Sequence, residues 1–217
     1  MLTFITGLID AVSYLGLGRV FTANMTGNVV LLGFAAADVP GLSVTRSLAS
    51  LVGFLIGAVV GGKLGGILSS ATPRWLLSAA VTEAVLIFFA AVAALGFDVN
   101  SGTPVTRLYA MIVLTAIAMG LRNATARRLG VADLTTTVLT LTLTGLAADS
   151  SLAGGNNPRW PRRVLSVIAM FGGAALGALL LRHGLALPLA IAAAFLLGTT
   201  GVYLRMPSSA EGRSTGG

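Results

Sequence analysis

The sequence predicts an all-α polytopic transmembrane helical bundle. It has about six crossings, in two inverted three-span repeats that each open with a broken helix. Three observations carry this. Hydrophobic residues make up 55% of the 217 residues and charged residues only 10%, where a soluble domain carries about 25% charged. Apolar regions of span length fill nearly the whole chain. A polar, motif-like stretch occurs twice, about half a chain apart, inside sequence that is otherwise oily.

The apolar regions lie at about 1–36, 47–69, 75–97, 105–149, 163–182 and 184–204. The first begins without a basic n-region and is interrupted by Asp10, so it reads as a first membrane helix rather than a cleavable signal. It is too long for one straight helix and is broken at Gly18 and Gly27. The second carries Gly53, Gly57 and Gly61 at four-residue spacing, which lets helix backbones approach closely in lipid. The third is an ordinary span with one acid, Glu83. The fourth is again too long, and Arg127-Arg128 through Asp133 break it. The fifth carries Gly173 and Gly177, and the sixth is an ordinary span. Each long region is therefore expected to be a helix, a turn at membrane depth and a half-helix, a shape tolerated only where it is buried in protein or lines a polar cavity.

The repeated stretch sits in the two long regions. One copy opens Gly7-Leu8-Ile9-Asp10-Ala11 and closes on Asn24, Thr26, Gly27 and Asn28; the other opens Gly120-Leu121-Arg122-Asn123-Ala124 and closes on Thr135, Thr136 and Thr137. The domain is thus read as 1–206, with repeat 1 at about 1–97, repeat 2 at about 105–206 and a disordered tail at 207–217. About sixteen apolar residues precede Gly120 but only six precede Gly7. The first helix is accordingly expected to be short by about ten residues, or about 15 Å, through a start assigned too far downstream.

Charge orients the bundle. The net charge is +7, and membrane proteins collect Arg and Lys in cytoplasmic loops. With six crossings, one side holds Lys63, Arg74, Arg159, Arg162, Arg163, Arg205 and Arg213, the other only Arg46, Arg107 and Arg182. Both termini are therefore expected to be cytoplasmic. No basic run is interleaved with aromatics, so nucleic acid is not expected as a partner. The lipid bilayer is, and the glycine faces of the second and fifth spans could pack within the chain or between chains as a homo-oligomer.

Few residues can carry chemistry. The chain has no Cys and one His, His183, so thiolate, triad and zinc arrangements lack their parts and neither an enzyme, a metal nor a cofactor is expected. Asp10 aligns with Asn123, beside Arg122, and an Asp10–Arg122 ion pair between the halves would serve either as a structural clamp or in substrate binding. Glu83, if it faces the bundle, is a candidate proton-coupling carboxylate; near the headgroups it would merely pair with Arg74. Asn24, Thr26, Gly27, Asn28 and their counterparts Thr135, Thr136 and Thr137 stand where each half-helix begins. They would cap it, or present free N–H donors to an anionic solute. Thr137, Thr140 and Thr144 fall on one helix face, and Ser150–Pro161 reads as a flexible linker.

The stretches from Asp10 to Asn28 and from Arg122 to Thr137, with the core Ala23-Asn24-Met25-Thr26-Gly27-Asn28, resemble the bacterial YoaK family of uncharacterised membrane proteins over nearly the whole chain. The resemblance implies an integral inner-membrane protein and no established substrate. The functional expectation is a small secondary transporter or facilitator of a small polar or anionic solute; the alternative is a non-transporting membrane partner of a larger complex.

Overall fold

The computed structural model describes residues 2–67, 72–130, 136–157 and 159–205. Among these it is all helical: α1 (Leu2–Gly16), α2 (Met25–Ala36), α3 (Val44–Ile67), α4 (Thr72–Ala93), α5 (Val105–Arg128), α6 (Thr136–Ala148), α7 (Trp160–Leu180) and α8 (Ala186–Arg205). Four of them, α3, α4, α5 and α7, are long and apolar enough to cross a membrane. Their outer faces carry large exposed side chains such as Leu55, Val59, Phe88, Leu165 and Phe171, as lipid-facing helices must.

Both long regions divide as their interruptions require. The first splits into α1 and the shorter α2, with Gly18 (φ +82°) and Arg19 (φ 59°) in the left-handed region at the break, where glycine is favoured. Gly27 falls instead in the first turn of α2, where its N–H bonds the Asn24 side-chain oxygen at 3.1 Å and closes an N-cap. The fourth splits into α5 and α6, with Gly130 (φ +66°) just past the end of α5. Pro161 sits in the first turn of α7, where a missing N–H costs nothing.

Glycine decides which helices meet. α3 lies along α5, and a Cβ added at Gly57 would strike the carbonyl oxygen of Ile117, while one at Gly120 would strike that of Phe54. α7 lies along α1 in the same manner: a Cβ at Gly173 would strike the Phe4 carbonyl oxygen, and one at Gly7 that of Met170. The correspondence reaches the individual contact. A Cβ at Gly61 would meet Leu121 O at 2.9 Å and Ala124 Cβ at 3.0 Å; one at Gly177 would meet Leu8 O at 2.9 Å and Ala11 Cβ at 3.0 Å. Leu8 and Ala11 are the residues that the repeated stretch places in register with Leu121 and Ala124. These glycine faces are thus spent inside the chain. α4 packs on α5 and α8, while the short helices α2 and α6 lie on α3 and α7.

The contacts also fix direction. α3 runs parallel to α5 and α7 parallel to α1, while Arg122, late in α5, reaches Leu2 and Thr6 at the start of α1. One end of the bundle therefore gathers the helix termini that carry Lys63, Arg74, Arg127, Arg128, Arg159, Arg162 and Arg163. The other gathers those that carry Arg19, Arg46, Arg107 and Arg182.

One expectation needs correction. The stretch after α6 is an organised turn rather than a loose linker: it contains a 3-10 turn at Ser151–Ala153. Arg163 Nη1 bonds Gly145 O at 2.8 Å and Asn157 Oδ1 at 2.7 Å and pairs with Asp149 at 2.7 Å. On α6, Thr140 and Thr144 are both exposed and so share a face, while Thr142 is buried; the side chain of Thr137 lies outside the described residues.

Candidate functional site

Two opposite charges lie inside the bundle. Arg122 of α5 is 4% exposed and Glu83 of α4 is also 4% exposed. Each would cost about 2.5–3.5 kcal/mol to insert alone, and together they neutralise one another: Arg122 Nη2 pairs with Glu83 Oε1. The other terminal nitrogen, Nη1, donates to the Leu2 carbonyl at 3.2 Å and to Thr6 Oγ1 at 3.0 Å. Thr6 in turn donates to Leu2 O at 3.1 Å. The arginine so ties α1, α4 and α5 together. Its Nε makes no hydrogen bond.

That pair borders a half-open cavity of about 260 Å³ at the strongly basic end of the bundle. Beyond Glu83 and Arg122 its polar lining is Thr125 and Thr199; the remaining walls are leucine and alanine, among them Leu2, Leu76, Leu121 and Leu196. At the same end Arg128 lies 5.8 Å from the Trp75 ring centroid, a cation–π distance. A half-enclosed, mostly apolar chamber with a few convergent polar groups is the usual build of a small-molecule site.

The expected site residues separate into two groups. Arg122 and Glu83 meet, but the expected Asp10–Arg122 pair does not form. Thr6, one turn before Asp10, occupies the face of α1 that Arg122 reaches, and Asp10 turns to the returning chain. There the backbone N–H groups of Ala23 and Asn24 bond its carboxylate. The Arg74 pairing envisaged for Glu83 is likewise replaced by Arg122, because Glu83 is turned inward. Asn24 caps α2. Asn28 is buried, donating to Ser47 O at 3.1 Å and accepting from Phe21 N–H at 3.4 Å. Asn123 bonds back to Met119 O at 2.8 Å, and Thr26 is exposed. Thr135 lies outside the described residues, as do the side chains of Thr136 and Thr137.

Three contributors escaped the sequence: Thr6, Thr125 and Thr199. Thr6 immediately precedes the first copy of the repeated stretch and Thr125 lies inside the second, so both could have been read with them. Thr199 follows from the helix register, since Gly57 and Gly173 are equivalent in their contacts and the same spacing carries Glu83 onto Thr199.

A family model described as "Protein of unknown function (DUF1275)" matches residues 1–202 of this chain. The UPF0700 transmembrane protein YoaK of Bacillus subtilis (strain 168) is 38% identical to it over 152 residues. That alignment takes in 70% of this chain and 65% of the relative, so it spans about two thirds of that protein's length. No solved structure matches.

Proposed function

Since the chain belongs to the DUF1275 family, that of the transmembrane protein YoaK, we propose that this membrane protein is a small secondary transporter or facilitator of a small polar or anionic solute. One observation carries the reading: a buried ion pair, Arg122–Glu83, borders a half-open cavity where helices from both halves of the sequence meet. Buried charges of this kind mark solute or proton pathways in membrane proteins.

Two inverted repeats, α1–α4 and α5–α8, make the mechanism concrete. α1, α3, α4 and their counterparts α5, α7, α8 supply six crossings, and α2 and α6 are the half-helices. The reciprocal glycine contacts of α3 on α5 and α7 on α1 support this pairing, and inverted repeats that rock about a shared site are a common transporter design. The excess of Arg and Lys at the cavity's end supports a cytoplasmic placement for that end and for both termini, in the cell (inner) membrane. In this reading Arg122 and Glu83 serve the solute. Asp10, Asn24 and Asn28 hold the α1–α2 turn in shape.

A second reading, a non-transporting partner in a larger complex, draws support from those internal bonds of Asn24 and Asn28. Flux separates the two. Proteoliposomes are tested with methanesulfonate, lactate, glycerol and urea against protein-free vesicles. The proposal expects at least one solute to move faster, and the neutral pair Glu83→Gln with Arg122→Gln to stop it. No accelerated solute, or flux unchanged in the neutral pair, overturns it.

A further inference from the structure

The cavity specifies its solute more narrowly. Resting on the transport reading above, we propose that the solute is a short-chain monocarboxylate, which takes the place of the Glu83 carboxylate on Arg122 while one proton is carried on Glu83.

The ligand chemistry is already on display, because Arg122's partner is a carboxylate. A guanidinium presents parallel N–H groups that match a carboxylate's two oxygens. Nη1 is spent on Leu2 and Thr6, which leaves the buried Nε–Nη2 edge, where Nη2 is held by Glu83 and Nε has no acceptor. Once Glu83 lets go, that edge is a two-donor seat for an incoming carboxylate. The walls then set the rest of the molecule. They are leucine and alanine apart from Thr125 and Thr199, so the body beyond the carboxylate is apolar. A volume of about 260 Å³ suits a solute of a few carbons. Among the described residues no second cation lines the cavity, so a second acidic group on the solute would stand unpaired.

Charge balance demands the proton. The empty pair is neutral, and an added anion would leave a net negative charge in a low-dielectric interior, where such charge is costly. Protonating Glu83 releases Arg122, and the solute's carboxylate restores neutrality: one proton and one anion enter together. The groups around Glu83 leave it to titrate against Arg122. α5 presents that arginine, whose Nη1 also holds Thr6 of α1; α8 lines the same cavity with the hydroxyl of Thr199, and the field of Arg122 reaches Asp10 further along α1.

The test is calorimetric titration of the full chain in nanodiscs with butyrate, in two buffers of different ionisation enthalpy. Butyrate should bind at least tenfold more tightly than butyramide, butylammonium or succinate, with uptake of one proton, and decanoate should gain nothing over butyrate. Its apparent Kd should rise about tenfold per pH unit once Glu83 is ionised, because only the protonated fraction is competent. Glu83→Gln should abolish that dependence and keep binding. The neutral pair E83Q/R122Q, which leaves no charge unpaired, should not bind. Butyramide binding as well as butyrate, pH-independent binding in the unmodified protein, or butyrate retained by the neutral pair would each overturn the proposal. Butyrate binding without flux of any solute keeps the carboxylate site and removes transport. Flux of glycerol or urea without butyrate binding keeps transport and removes the carboxylate site.

Discussion

Replacing Gly57 by alanine places a methyl group against the carbonyl oxygen of Ile117, and the same change at Gly173 places one against that of Phe4. Backbone cannot rotate away as a side chain would, so α3 must withdraw from α5, or α7 from α1. Restoring ordinary contact of about 3.5 Å requires a shift of roughly 1.5 Å, and a gap of only about 0.5–1 Å already forfeits a quarter to a half of each dispersion contact. Overpacking of this kind costs about 1–3 kcal/mol, offset by the roughly 0.8–1.0 kcal/mol by which alanine exceeds glycine as a helix former. The net expectation is a loss of up to about 2 kcal/mol at each site. Gly62 and Gly198 provide the control, since nothing lies within 4 Å of an added Cβ at either. There the helical gain stands alone and the protein becomes more stable. Reversible unfolding in mixed detergent–SDS micelles reads all four variants. Gly57→Ala and Gly62→Ala with equal effects would refute the packing argument. A difference above about 1 kcal/mol between Gly57→Ala and Gly173→Ala, outside the few tenths expected of equivalent sites, would refute the equivalence of the two interfaces.

Further outcomes follow from single groups. Arg122→Gln alone leaves Glu83 buried without its cation and should cost about 3–5 kcal/mol; the same micelle assay should find much of that recovered in E83Q/R122Q. Asn24→Ala removes the α2 cap and should cost about 1 kcal/mol, visible as faster amide exchange of Gly27. Asp98, in the turn between α4 and α5, is held below the ordinary carboxylate value of 3.8 by hydrogen bonds first from the Ser101 hydroxyl and then from the Asn100 N–H. Its contribution to that turn should be fully present above the ordinary value and lost as pH falls through the lowered one. Amide exchange of Asn100 should follow that course, and Asp98→Asn should flatten it.

Much of this architecture was legible because lipid simplifies the code. Gly53, Gly57, Gly61, Gly173 and Gly177 announced close helix approach by spacing alone, and Gly18 and Arg127–Arg128 marked the breaks. Which helices those glycines serve was not legible, because spacing names a face but not its partner; the reciprocal pairing of α3 with α5 and α7 with α1 appears only in three dimensions. The site was half legible for the same reason. Arg122 and Glu83 stood out as charges in oily sequence, but Asp10 was the nearer-seeming partner in the alignment of the repeats. That alignment carries no information on which way a helix is rotated, and the rotation of α1 gives Arg122 to Thr6 and Asp10 to the turn. Asn24 and Asn28 were correctly placed at the start of a half-helix, whereas their bonding to Gly27 and Ser47 depended on how α2 lies against α3.

Transport through the bundle requires the Arg122–Glu83 cavity to open to water at the basic end. Because the chain has no cysteine, single substitutions can be read without background. Thr125→Cys and Thr199→Cys line the cavity and Asn28→Cys is buried at the α2–α3 contact, so each is treated with a membrane-impermeant maleimide in oriented vesicles. The account predicts rapid labelling of residues 125 and 199 from the face that carries Lys63, Arg74 and Arg163, slowed by butyrate, with none at residue 28. Labelling at residue 28 while 125 and 199 stay unreactive from both faces would contradict it.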